Sequence, residues 1–369
     1  MGILSSASLA FGSLLWAASV TAAQVGDFRL VEELQLGRIE GLESDLFGDI
    51  HDLAVDADGR IYVVDPGMQN VRVFDRDGQL VREIAPEGEG PGERRHRRMS
   101  YLGPTSLTWE PNRARLWIDD GFQRQVLDSL GVEYRRDMRT GNFYTNPDIP
   151  AGKIAQVDAQ GHIYEYQRLP IGDTTVSYIA RGVPTAEYGV VFSDTLTIDS
   201  RALESGETRT TERTIGSSRV SIAVSDKRPE RDEHAWTVST ARGTVWISVN
   251  ERRQLHEIAF TGDTLRTFDL DTAPTELDVS PEGWVWIRHS GANAETTWDL
   301  LDNCGERRGS VLLPVPVSLT HVGRGGVVHV VWSDDLDIEY IMRLRLEGDV
   351  DRRTCQANQT PSVTQDSTV

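Results

Sequence analysis

The feature with the clearest chemical consequence is a run of basic residues. Residues 94–98 read Arg-Arg-His-Arg-Arg in a chain whose formal net charge is -19. Clustered guanidinium groups hold carboxylates or phosphates through paired, charge-assisted hydrogen bonds. The same run is also a plausible solvated loop that balances Glu87, Glu89 and Glu93 beside it. His51, His234 and His289 offer a second chemistry, because imidazole is the commonest metal ligand, although lone histidines at strand ends are ordinarily structural. The Asp56-Ala57-Asp58-Gly59 and Asp75-Arg76-Asp77-Gly78 stretches lack the later ligands of a calcium loop and read as turns. No GxSxG elbow, HExxH helix or phosphate-binding loop is present, so no catalytic residue is assigned.

The elements that must position these groups are short strands. Phe47–Glu93 holds the apolar runs Ile50–Val55, Ile61–Val64, Val71–Phe74 and Leu80–Ile84, separated by Asp58-Gly59, Pro66-Gly67 and Asp77-Gly78. Such turn pairs between apolar runs signal hairpins. Strands joined this way form an antiparallel meander, the unit of a propeller blade. The second-strand core Ile61-Tyr62-Val63 returns as Leu116-Trp117-Ile118, His162-Ile163-Tyr164, Val245-Trp246-Ile247, Val285-Trp286-Ile287 and Val328–Trp332. The spacing is about 40 to 55 residues, with about 80 between the third and fourth cores. Periods near 40 to 50 mark β-propellers.

The excess falls at 200–233 and reads as an extended hairpin or loop, and the third strand of that third repeat is expected at Thr175–Ala180. The last repeat ends near Leu346 after three strands, and an open sheet edge is a liability. The unclaimed run at 28–36, FRLVEELQL, supplies the missing strand. The expected fold is all-β: a six-bladed β-propeller of four-stranded antiparallel blades over 28–350, its ring closed by the N-terminal strand. Tyr62, Trp117, Tyr164, Trp246 and Trp286 take one position in each blade and read as inter-blade core.

The acidic balance excludes nucleic acid and anionic lipid as natural partners, since both demand a basic surface. Residues 1–23 read as a signal peptide, with the apolar run Leu9–Val20 and small residues at Val20-Thr21-Ala22-Ala23, but with no Lys or Arg in front of the run. No later stretch could span a membrane, so the mature chain is expected in the periplasm or secreted, as a monomer. In an exported chain the two cysteines, Cys304 and Cys355, can pair. That bridge would close a loop of ~50 residues and stabilise by roughly 4 kcal/mol. Residues 351–369 are polar and expected to be disordered.

The first repeat, with Ile50–Val55, Gly59–Asp65, Val71–Asp75 and Gly78, resembles an NHL-type repeat. Gly88-Glu89-Gly90-Pro91-Gly92-Glu93 resembles the GxGPGE signature of bacterial exported six-bladed propellers of the TolB-like and NHL-like superfamily. That resemblance implies a topology in which loops entering each first strand share a face with loops joining second to third strands. It gathers His51, Asp65, Arg94, His96, Arg98, His234, Arg288 and His289 on one channel-mouth rim as candidate ligand-binding residues. The expected activity is non-enzymatic binding of a protein, peptide or glycan, with no cofactor. The alternative is a metal-dependent propeller hydrolase of lactonase type, or a lyase, with a divalent ion in the channel.

Overall fold

A computed structural model describes residues 28–38, 46–65, 70–86, 88, 90–93, 106–119, 123–138, 155–157, 160–171, 174–185, 189–198, 212–215, 218–221, 234–239, 243–249, 253–290, 295–302, 304–313 and 315–348. The chain opens with β1 (Arg29–Leu36), which waits for the last blade. Blade 1 is β2 (Asp52–Val55), β3 (Ile61–Asp65), β4 (Asn70–Phe74) and β5 (Leu80–Ile84). Blade 2 is β6 (Ser106–Glu110), β7 (Arg115–Asp119), β8 (Gln123–Asp128) and β9 (Glu133–Met138). Blade 3 is β10 (Ala155–Val157), β11 (Ile163–Ile171), β12 (Thr174–Thr185) and β13 (Gly189–Ile198).

A separate hairpin, β14 (Glu212–Ile215) with β15 (Ser218–Ser221), lies in the 200–233 excess. Blade 4 is β16 (His234–Ser239), β17 (Thr244–Val249), β18 (Gln254–Ala259) and β19 (Thr264–Asp269). Blade 5 is β20 (Glu276–Val279), β21 (Val285–Ser290), β22 (Thr296–Leu301) and β23 (Arg307–Leu313). Blade 6 is β24 (Val317–Val322), β25 (Val327–Ser333) and β26 (Glu339–Glu347), completed by β1. The protein is a six-bladed propeller of four-stranded antiparallel blades.

The first strand of each blade is innermost, and those of neighbouring blades touch. Three of these junctions share one device, a side-chain oxygen on one inner strand that accepts an N–H from the next. Asp52 accepts from Leu107 at 2.7 Å, Gln156 from Val238 at 2.8 Å and Asp278 from Val322 at 2.9 Å. Each blade-to-blade junction also has its own apolar cluster. Tyr62 stacks on Trp109 between blades 1 and 2, and Trp246 packs with Leu277 and Val279 between blades 4 and 5. The expected aromatic series is therefore inter-blade core, each member at most 4% exposed. A fully buried side chain of this kind contributes roughly 1.5–3 kcal/mol.

Ring closure is antiparallel, with Arg29 opposite Glu347 and Leu36 opposite Ile341, and Glu33 bulges out of the ladder between Glu32 and Leu34. Leu34 and Leu36 then lie over the β4–β5 turn of blade 1. Gly78 there has φ +85°, and a Cβ on it would sit 2.6 Å from the Leu36 side chain. Only glycine takes both that backbone and that contact.

Blade 3 corrects the strand reading of that region. Its third strand runs Thr174–Thr185 rather than Thr175–Ala180, and all three of its outer strands overrun those of other blades. Part of the excess length is thus inside the blade. The expected signal peptide (1–23), tail (351–369) and Cys355 fall outside the described residues.

Candidate functional site

The propeller has two unlike faces. On one, tight turns join first to second and third to fourth strands. Asp56 shows how they are built: its carboxylate accepts from the N–H groups of Asp58 and Arg60, each at 2.9 Å, and from the Tyr62 hydroxyl at 3.1 Å. Asp75, Asp128 and Asp302 repeat the backbone part of this arrangement. Such Asx turns need a short acidic side chain and little else. The other face carries the strand ends that the longer connections join: Leu36 and Asp52, Ile84 and Ser106, Met138 and Ala155, and Ile198 and His234.

The strand directions place His51, Asp65, His234, Arg288 and His289 on that second, loop-bearing face. His51 and Asp65 meet there around Glu339. Burial pushes the Glu339 carboxyl up, the charges of Asp49 and Asp65 add to this, and the Ile50 N–H and His51 oppose it. The His51 ring lies 3.0 Å from Asp49. Asp65 is buried, pairs with Arg72 at 2.8 Å and accepts from the Gly48 N–H at 3.1 Å. Arg72 in turn lies 4.3 Å from the Phe47 ring centroid. Asp65 therefore anchors the approach to β2 as well as facing the rim. His234 begins β16, and its side chain is outside the described set; Arg94, His96 and Arg98 lie outside the described residues.

Arg288 is held by Glu276 at 3.1 Å and donates to the Val317 carbonyl at 2.9 Å, so it ties blade 5 to the first strand of blade 6. His289 has the most ordered surroundings. One ring nitrogen, Nε2, is 3.2 Å from Asp299, and the other, Nδ1, is 2.7 Å from the Thr272 hydroxyl. Asp299 also accepts from Arg307 at 3.0 Å and from Ser310 at 2.5 Å. Burial alone would push the Asp299 carboxyl up. The hydrogen bonds from His289 and Ser310 and the charges of His289 and Arg307 outweigh it and hold the carboxyl at about 2.

This group binds protons less readily folded than unfolded, where it titrates near 3.8. Its stabilisation is present above that value and is lost as pH falls through about 2. Asp299→Asn should therefore be less stable than the native chain at neutral pH, with the gap closing in acid. Urea unfolding at stepped pH reads this; a gap of constant size down to pH ~2 would contradict it.

A cavity of about 560 Å³ opens on the turn-bearing face instead. One residue from each inner strand lines it at the same level: Ala54, Thr108, Gln156, Thr237, Asp278 and His321. Across the ladder from these stand Tyr62, Trp117, Tyr164, Trp246 and Trp286, and, in blade 6, His329. His329 also lines the cavity, with Arg343 and Arg345 beside it. Neither histidine was in the expected site. The signal was available: aligning Val328-His329-Val330 on Val245-Trp246-Ile247 shows the one blade with an imidazole at the aromatic position. Among the described residues no group of three His, Cys, Asp or Glu side chains is arranged to hold a metal ion.

Comparison with known proteins agrees with the fold. Residues 38–124 match a family described as a 6-bladed beta-propeller. The glycine-rich turn inside that match has a physical basis, since Glu93 folds back to accept from the Gly90 N–H at 2.7 Å and a Cβ on Gly88 would strike its carboxylate. Among solved structures, a streptogramin B lyase is similar over 87% of this chain and 98% of its own, with TM-score 0.51 and 12% identity. A member of the duf4221 family from Bacteroides vulgatus covers 87% and 99%, with TM-score 0.49 and 10% identity. A gluconolactonase from Xanthomonas campestris covers 86% and 90%, with TM-score 0.46 and 12% identity. At these identities the likeness concerns the fold. No curated protein matches the chain.

Proposed function

We propose that this chain is an exported, non-enzymatic binding propeller that engages a protein, peptide or glycan on the rim of its loop-bearing face. The observation that carries this reading is the asymmetry of the faces. Tight, internally satisfied turns close one side, while the strand ends joined by the long connections, such as Ile84 to Ser106 and Ile198 to His234, stand on the other. Long loops on a rigid scaffold are where binding residues concentrate. The described groups on this face, Asp65, Arg288 and Asp299, are engaged in local ion pairs that hold its shape. Arg94–Arg98 lies in one of these passages and would select acidic ligands.

The test is calorimetric titration of the purified protein with a hexaglutamate peptide and with an oligo-uronate. The Arg94→Ser/Arg98→Ser variant should lose at least tenfold in affinity, ~1.4 kcal/mol. No binding by the native chain, or equal binding by the variant, would remove the proposal. The intact mass of the protein recovered from the medium or periplasm belongs to the same experiment. It should show cleavage after Ala22 or Ala23 and two hydrogens fewer for a Cys304–Cys355 bridge; an uncleaved mass sinks export.

One observation favours a second reading, a propeller hydrolase. Thr272, His289 and Asp299 stand in the order hydroxyl, imidazole, carboxylate, the order that activates a nucleophile in acyl transfer. Hydrolysis of a p-nitrophenyl ester that disappears in Thr272→Val would establish it. No turnover above buffer would leave the three groups as a strap between blade 5 and the connection before it.

A further inference from the structure

Blade 6, where the ring closes, differs from blades 1 and 2 at two linked positions. In blade 1 the residue after the inner strand is Asp56, whose carboxylate accepts from the Tyr62 hydroxyl at 3.1 Å. In blade 2 Glu110 does the same for the Trp117 ring N–H at 2.9 Å. The backbone pair Gly323 N–H to Val327 carbonyl in blade 6 is the counterpart of Asp56 to Arg60 in blade 1. Gly323 thus stands where Asp56 stands, and His329 where Tyr62 stands. Glycine brings no acceptor. His329 is 3% exposed, and neither of its ring nitrogens has a hydrogen-bond partner.

A buried imidazole with both nitrogens unsatisfied costs roughly 1–3 kcal/mol for each orphaned polar group. An aromatic ring would avoid that cost, as in the other blades. The ring is not sealed in protein, however: it lines the 560 Å³ cavity, 6.3 Å from the His321 ring. Arg343 follows it across the ladder, and Arg345 and Arg324 line the same space. Glu33, the bulged residue of β1, pairs with Arg343 at 3.2 Å and also with Arg345. Opposite, blade 1 presents Asp56, Asp58 and Arg76, with Arg60 bridging both aspartates at 3.2 Å and the Arg76 carbonyl accepting from Arg343 at 2.6 Å. The charged groups that line the cavity balance, Arg76, Arg324, Arg343 and Arg345 against Glu33, Asp56, Asp58 and Asp278, but on the blade 6 wall around His329 three arginines, Arg324, Arg343 and Arg345, stand with one carboxylate, Glu33.

We propose that the closure crevice binds a small oxyanion-bearing molecule, carboxylate or phosphate, through His329 with Arg343 behind it. The apolar ring of Val55, Val157, Val238 and Val279 would receive the rest of the ligand. Burial and the Arg343 charge push the His329 ring down to about 4, with Glu33 opposing, so the empty crevice holds a neutral ring able to donate one hydrogen bond and accept another. An anion beside it offsets the Arg343 charge and raises the ring's affinity for a proton.

The experiment follows the His329 ring signals by NMR in the full chain, with succinate and with inorganic phosphate as separate probes up to ~10 mM, enough to reveal a Kd of ~1 mM. Binding should move the midpoint of the His329 titration up by at least one pH unit with one of the probes, and which probe succeeds identifies the anion class. His329→Tyr restores the aromatic of the other blades; it should fold, melt higher than the native chain and bind at least tenfold more weakly. Arg343→Gln should weaken binding while leaving the His329 signal in place. Neither probe shifting His329, or His329→Tyr binding as tightly as the native chain, overturns the proposal.

Discussion

Removing residues 28–36 should abolish the cooperative unfolding of the propeller. Those residues bury Phe28, Leu30 and Leu36 at 3%, 2% and 7% exposure. They cap blade 6 along Ile341–Glu347 of β26 and set Leu34 and Leu36 against blade 1. Truncating one such leucine typically costs 2–5 kcal/mol, against a total stability of about 5–15 kcal/mol for a domain. Leu30→Ala alone should lower the urea midpoint clearly; the deletion should leave no folded baseline. The deleted stretch also takes the partner strand of β26, so an open ladder edge remains and aggregation is expected with the loss. Thermal melting followed by circular dichroism, with light scattering recorded alongside, decides the matter. A deleted protein that melts at the native temperature would show that the ring does not need its clasp.

The second large effect is expected at Arg124, between blades 2 and 3. Its guanidinium is 4% exposed and forked: one arm reaches Asp119 of its own blade at 2.6 Å, the other Glu165 of the next. The Trp117 ring centroid is 5.8 Å from it. Burial opposes the charged form, but the two carboxylates outweigh it and push the guanidinium pKa up, so the cation persists at every accessible pH. Arg124→Met keeps most of the volume and removes the cation that offsets two buried acids. Breaking such a group by removing one member costs about 3–5 kcal/mol. Replacing all three, Asp119→Leu with Arg124→Met and Glu165→Leu, should recover most of that loss, because desolvation of the charges disappears along with their attraction. Chemical denaturation of both variants reads the difference. A single substitution that costs less than ~1 kcal/mol, as exposed pairs do, would show that water reaches the triad.

Much of this fold was legible before any coordinates, and the reason lies in the turns. Asp58-Gly59, Asp77-Gly78 and Glu282-Gly283 each mark a reversal with a positive-φ glycine, at +82°, +85° and +91°. Between them continuous apolar runs such as Ile61–Val64 fix each second strand. The clasp at 28–36 was legible by elimination, as the run left over when the last repeat came up short. Blade 3 was harder, because Ile163–Ile171 and Thr174–Thr185 run on beyond the strand length that the other repeats set. The site was harder still. Asp65 and Arg288 look like any exposed polar residue in the sequence, and only their ion-pair partners, Arg72 and Glu276, reveal their structural share. His329 was hidden for the opposite reason: it sits in an apolar run, Val327–Val331, whose pattern says core and says nothing of two unpartnered nitrogens.

Ring closure has a consequence in time as well as in space. Arg29 pairs with Glu347 across 318 residues of chain. The segment that leaves the ribosome early is thus required last, and the ring stays open until almost the whole sequence is available. Blades 1 to 5 are built from neighbours in sequence and can form as they emerge; the sixth cannot. A nascent chain of this design carries its own delay, during which five blades can stand before the contact that locks the ring exists.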